Sequence, residues 1–125
     1  MKMRTKSDKL TEWINTIGNV AKLGIEVYYS NVVKRGLAMA ECRQIGKKLE
    51  SFKIVIASHY WNNLREEIKR EVILHELAHI VVWAATNKFQ QHTDLWKSVC
   101  AKLNIPARTS IPLAIDGIEI KRQTE

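Results

Sequence analysis

The sequence predicts an α+β domain, and three observations carry that expectation. Apolar residues recur at helical spacing near the start, three short extended runs occupy the stretch from Ile25 to Ser58, and a long apolar helix with a second helix behind it follows. At 125 residues and 14.4 kDa the chain suits one domain, residues 1–125, with a core over about 8–105 and a short tail.

Ser7 can cap a first helix in which Leu10, Trp13, Ile14, Ile17 and Ala21 share a face, with Gly24 where such a helix would end. Ile25 to Tyr29 reads as a strand. After a polar loop through Lys34, Arg35 and Gly36, two more extended runs span Leu37 to Ile45 and Phe52 to Ser58, with Lys47 to Ser51 as their hairpin connection. Asn63 followed by Glu66 has the form of a capping box, and Leu64, Ile68, Val72, Leu77, Val81 and Ala84 trace an apolar stripe toward Asn87. Both faces of that helix are apolar from Leu77 through Ala85, so it should be largely buried. Thr93 or His92 opens a further helix with Leu95, Val99 and Leu103 on one side, ended by Asn104 and Pro106. Ile111 to Ile115 and Ile118 to Ile120 can pair about an Asp116-Gly117 turn.

Composition removes several function classes. The charged start lacks the apolar core and cleavage site of a secretory signal, and the uncharged stretch from Leu77 to Asn87 is too short to span a bilayer. The expectation is a protein that stays in the cytoplasm, without a membrane partner. Cys42 and Cys100 lie far apart with no Cys-x-x-Cys pair, so they read as buried free thiols rather than a disulfide framework or zinc ribbon. The net charge of +7 is uneven: residues 1–60 carry a balance of +6 and residues 61–125 only +1. A basic half attracts a polyanion or an acidic surface, and Arg43, Lys47, Lys48 and Lys53, with Lys34 and Arg35 in the preceding loop, are the candidate phosphate-facing cations, a solvated hairpin being the alternative. Tyr28, Tyr29, Tyr60 and Trp61 read as core aromatics, with base stacking as the alternative.

The chemistry concentrates in His75-Glu76-Leu77-Ala78-His79. Histidines four apart on a helix have Cβ atoms about 5–6 Å from each other, close enough to grip one ion, and the carboxylate between them lies about 100° round the helix from the first. That is the arrangement of a zinc hydrolase, with Glu76 as base rather than ligand. Chance produces the pattern in roughly 0.01 of chains with this composition. A catalytic zinc needs a third protein ligand, and between His79 and Asp116 the choices are His92 and Asp94. No glutamate occurs from 77 to 118, which removes a glutamate ligand on the next helix, and Val82 and Ala85 replace the Gly and His of the metzincin extension. Asp94 reads as a helix-start residue, which leaves His92 as third ligand. Zinc so held would acidify its water while Glu76 takes the proton and passes it to the leaving amine. His59 and Tyr60 are candidates for stabilising the oxyanion.

The stretches Gly24 to Ser30, Phe52 to Ser58 and Glu71 to His79, with Gln91-His92-Thr93-Asp94-Leu95-Trp96 behind them, resemble the SprT-like metallopeptidase domain, the family that includes the DNA-dependent protease Spartan. The resemblance covers roughly residues 8 to 105. It implies a zincin-like fold in which a helix, a small three-stranded antiparallel sheet and the motif helix precede a helix at the third ligand. It also implies one catalytic zinc on His75, His79 and His92, Glu76 as catalytic carboxylate, and cleavage of proteins bound or crosslinked to DNA. Two departures stand out: Thr93 follows His92 where the family usually has Gly, and the cysteines of the zinc ribbon found in many bacterial members are absent.

Three functions remain in view. A zinc endopeptidase acting on DNA-associated protein leads. A regulatory metallopeptidase that cuts one specific repressor without DNA is the second. A nucleic-acid-binding module with structural zinc is the third, and it is weakened because structural zinc usually closes with four protein ligands.

Overall fold

A computed structural model describes residues 4–18, 20–31, 37–90 and 92–107, and the backbone of 110–115 and 118–123. The elements are β1 (Arg4–Lys6), α1 (Asp8–Ile14), a 3-10 turn (Val20–Leu23), β2 (Glu26–Ser30), β3 (Ala38–Ile45), β4 (Lys48–Ala57), α2 (Ser58–Trp61), α3 (Glu66–Thr86), α4 (Asp94–Lys102), β5 (Ser110–Ile115) and β6 (Ile118–Gln123). Strands β1 to β4 form one sheet in the order β1-β2-β4-β3, and β5 and β6 form a separate antiparallel pair.

This corrects the expected three-stranded antiparallel sheet in two ways. A fourth strand, Arg4–Lys6, pairs antiparallel with β2, and β2 runs parallel to β4, from Glu26 opposite Lys53 to Ser30 opposite Ala57. Only the β3–β4 hairpin and the β1 edge are antiparallel. The sheet is therefore mixed, with charged residues on its short β1 edge, where unpaired backbone groups invite unwanted strand addition.

The hairpin is longer than expected. Ile45 pairs with Lys48 across a Gly46-Lys47 turn, so β4 begins four residues before Phe52. The cause lies at Ser51, whose φ of 58° is left-handed and marks a bulge where the register shifts between Glu41 and Arg43. Leu49 and Phe52 are three apart, which in a regular strand would put them on opposite faces. The extra residue restores the phase, and both are buried.

Helix α1 starts as expected, with the Ser7 hydroxyl accepting from the Leu10 amide at 3.2 Å, but it stops at Ile14 rather than near Gly24. The Asn15 side chain donates to the Thr11 and Ile25 carbonyls, and the Val27 amide donates to the Thr11 hydroxyl, so the chain turns onto β2. The segment Val20–Leu23 is a separate 3-10 turn ending at Gly24, whose φ of +62° is left-handed.

The long helix begins after Arg65, not at Asn63, and no side chain caps it. Glu66 and Glu67 in its first turn instead meet the positive end of the helix dipole. Its C-terminus closes on Asn87, left-handed at φ 55°, whose side-chain oxygen accepts from the Leu49 amide at 3.1 Å. That bond ties the last turn of α3 to the start of β4. Burial runs from Glu71 through Ile80 without interruption, earlier than the Leu77 start read from the sequence. Ile54, Ile56, Val72, Leu77 and Ile80 are fully buried in one core, each contributing about 1.5–3 kcal/mol of apolar burial.

Helix α4 turns inward a face shifted from the expected one. Trp96 and Cys100 are fully buried and Val99 and Leu103 pack half-buried against the core, while Leu95 is 44% exposed. Thr93 caps it through the Trp96 amide, and left-handed Asn104 ends it before Pro106, with Ile105 donating back to the Cys100 carbonyl. Strands β5 and β6 pair from Ser110 opposite Gln123 to Ile115 opposite Ile118, while the expected Asp116-Gly117 turn lies outside the described residues.

Candidate metal centre

Helix α3 places His75 and His79 on consecutive turns of one face, and the loop after Asn87 brings His92 back over them. Each of the three offers a ring nitrogen, and these nitrogens all lie within 4.8 Å of one another. The His75 and His92 Nε2 atoms are 3.4 Å apart, and the three ring centroids are separated by 5.0 to 5.3 Å. The loop is pinned from the helix: the Trp83 indole donates to the Gln90 carbonyl at 2.9 Å, and the Gln90 amide nitrogen donates to the Thr86 hydroxyl.

Beneath the imidazoles lies Trp96. Its ring centroid is 4.9 Å from His75, 5.4 Å from His79 in a stacked arrangement, and 4.6 Å from His92. One fully buried indole thus supports all three rings. From the sequence the inner side of α4 falls to Leu95, Val99 and Leu103, and Trp96 enters only as the aromatic residue four after His92 in the family's histidine block. The signal available was the spacing of four from His92, although His92 itself lies before the helix cap.

Burial governs the protonation of the cluster. His79 is 1% exposed, and desolvation pushes its pKa down to about 4, with the nearby His92 adding in the same direction and the backbone of Gln90 opposing. Neither His79 ring nitrogen meets hydrogen-bond geometry with a described residue. The imidazole is therefore neutral near pH 7, because the loss of water outweighs the opposing Gln90 backbone contact. Desolvation also lowers the pKa of half-buried His92. Two neutral rings whose nitrogens converge with those of a third within 4.8 Å suit a metal ion.

Glu76 sits beside this point. It is completely buried, and its Oε2 is 4.0 Å from His75 Nε2. That distance makes it a neighbour of the nitrogen cluster.

The remaining candidates separate clearly. Asp94 has a fully exposed carboxylate 3.9 Å from Lys97 and lies outside the histidine group, as its helix-start reading expects. His59 is exposed on α2 and also outside that group, and the Tyr60 side chain lies outside the described residues. Arg43, Lys47 and Lys48 are exposed along the β3–β4 hairpin. Lys53 is half-buried, its ammonium 5.5 Å over the Tyr28 ring, and it shares a depression with Arg43, Glu26 and Glu41. Of the six cations expected to face phosphates, Lys34 and Arg35 lie outside the described residues. Cys100 is a buried free thiol and Cys42 a half-buried one. Among the described residues no helix is long and apolar enough to cross a membrane.

Neither a curated protein nor a solved structure matches the chain. The SprT-like family model matches residues 8–122, which extends past the motif helix and α4 into most of the C-terminal hairpin. With that match over nearly its whole length and the three histidines gathered at one point, the chain belongs to the SprT-like family.

Proposed function

We propose that the protein is a zinc-dependent endopeptidase that cuts proteins bound or crosslinked to DNA. The observation that carries the hydrolytic part is the convergence of three imidazole nitrogens within 4.8 Å beside a buried carboxylate. His75, His79 and His92 would hold the ion, a donor set that leaves a fourth position open in the manner of catalytic rather than structural zinc. When bound, zinc supplies Lewis acidity that polarises a peptide carbonyl and eases the ionisation of water. Glu76 then acts as the general base: its carboxylate takes the proton from the attacking water and delivers it to the departing amine nitrogen. Burial of Glu76 and His79 keeps bulk water from competing for that proton, and Trp96 holds the three rings in a fixed mutual orientation.

The DNA-associated substrate rests on family membership together with the cationic first half of the chain. Exposed Arg43, Lys47 and Lys48 on one hairpin supply part of an electrostatic surface for phosphates. The test is cleavage of a DNA-binding protein by zinc-loaded wild type, with and without DNA, beside Glu76→Gln. Wild type should cut, and the variant should retain zinc and fold while losing at least about 100-fold in rate. Undiminished cleavage by Glu76→Gln refutes the assignment of the base. DNA-independent cutting of a single partner would instead favour a regulatory peptidase.

A further inference from the structure

Away from the histidines, a cavity of about 510 Å³ opens between α1, β2 and the first turns of α3. Its apolar wall is aromatic: half-buried Trp13 and Tyr29 present ring surface, and Trp61 closes the back, 6.4 Å from Tyr29 in an edge-on contact. Four ionic groups on α3 line it as well. Glu66 pairs with Lys69, whose ammonium also lies 5.7 Å over the Trp61 ring, and Glu67 pairs with Arg65. Arg70 and, from α1, Lys9 are exposed and pair with no described acidic group.

We infer that this cavity is a binding site for one unpaired nucleotide of a single-stranded nucleic acid. The base stacks against Trp13 and Tyr29, and its flanking phosphates lie against Lys9 and Arg70. The volume suits a nucleotide-sized group. Flat apolar rings paired with two unneutralised cations complement a base and its backbone, and stacking of this kind tolerates any base. A duplex keeps its bases inside the helix and cannot fill a concave pocket with one. An acidic peptide could satisfy the cations but would leave the ring surface poorly used. Arg70 precedes His75 by five residues on the same helix, about 7.5 Å along its axis and about 140° round it, so a strand held here lies on a different face of α3 from the histidines.

The inference adds a partner site to the DNA-associated reading, but it is tested on binding alone, so loss of peptidase activity and loss of this site are separate results. A labelled single-stranded oligonucleotide, a duplex of the same sequence and a poly-glutamate peptide are titrated against the full chain by fluorescence anisotropy. Wild type should prefer the single strand. Trp13→Ala should weaken that binding about 5- to 150-fold, with Trp13→Phe restoring most of it. Because Trp13 packs on the core, the exposed pair Lys9→Ala/Arg70→Ala provides the second readout, lowering the salt slope of log K by about 1.4. Equal affinity for the duplex overturns the inference, as does displacement of the oligonucleotide by poly-glutamate with the same dependence on Trp13. Binding that is insensitive to the Trp13 and Lys9/Arg70 variants but lost in Arg43→Ala/Lys47→Ala/Lys48→Ala also overturns it, by moving the site to the hairpin.

Discussion

Replacing Trp96 by alanine and by phenylalanine separates two roles of one side chain. The indole is fully buried and touches all three imidazoles, yet its Nε1 donates to no described residue. Trp96→Ala removes the ring and opens a cavity, for which the expected loss is about 3–5 kcal/mol. Trp96→Phe leaves a smaller gap, costing about 1 kcal/mol, and removes a buried unpaired donor, which returns about 1–3 kcal/mol. The net expectation for phenylalanine lies between no change and a gain of about 2 kcal/mol. Zinc affinity should fall about 10- to 100-fold in the alanine variant, whose rings lose their common support, and stay within tenfold of wild type with phenylalanine. Guanidinium unfolding in the presence of a chelator gives the stability series, and competition with a chromophoric chelator gives the affinities. If phenylalanine costs as much as alanine, the indole N–H is satisfied in the folded protein and the reasoning fails.

Asn87→Gly keeps the left-handed φ but loses the bond to Leu49, so unfolding experiments should show a loss of about 1 kcal/mol, and Asn87→Ala, strained as well, about 2 kcal/mol. His79 has a folded pKa of about 4 against 6.5, so between those values the unfolded chain binds more protons and the metal-free protein loses stability as pH falls. The full effect is about 3 kcal/mol, and comparing wild type with His79→Asn by denaturation from pH 7 to 4 isolates it. Cys100, buried and pushed up to about 11, should resist a thiol reagent under native conditions, whereas half-buried Cys42 should react measurably faster; mass mapping of the modified sites decides.

The histidine cluster was legible because its information is local. His75, Glu76 and His79 lie within one helical turn and a half, and the scarcity of acidic or imidazole groups after His79 left His92 as the third histidine of the group. Sheet topology was not legible in the same way. Arg4-Thr5-Lys6 has no apolar alternation and becomes a strand only because β2 offers it an edge. The apolar patterns of Glu26–Ser30 and Lys53–Ala57 fit parallel and antiparallel pairing equally, and only the path of the chain through β3 decides between them. Helix α1 looked longer because Ile17 and Ala21 continue its period, while the Asn15 side chain diverts the backbone at Ile25. The inward face of α4 was misread because Leu95 fits the stripe as well as Trp96, and only packing against the imidazoles discriminates.

The bulge at Ser51 bears on how this domain can change over generations. It separates β4 into an inner stretch, whose alternation fixes Phe52, Ile54 and Ile56 in the core, and an outer arm shared with the end of β3. Because the left-handed residue absorbs the phase between them, substitutions at Arg43, Gln44, Lys47 and Lys48 leave the inner register alone. The arm is held at its base by the Leu49–Asn87 bond and by the buried Leu49 side chain, while residues 43–48 face solvent. Its charge can therefore drift to suit different partners while the helix bearing the histidines stays where it is, a division between a variable limb and a constrained centre created by one extra residue.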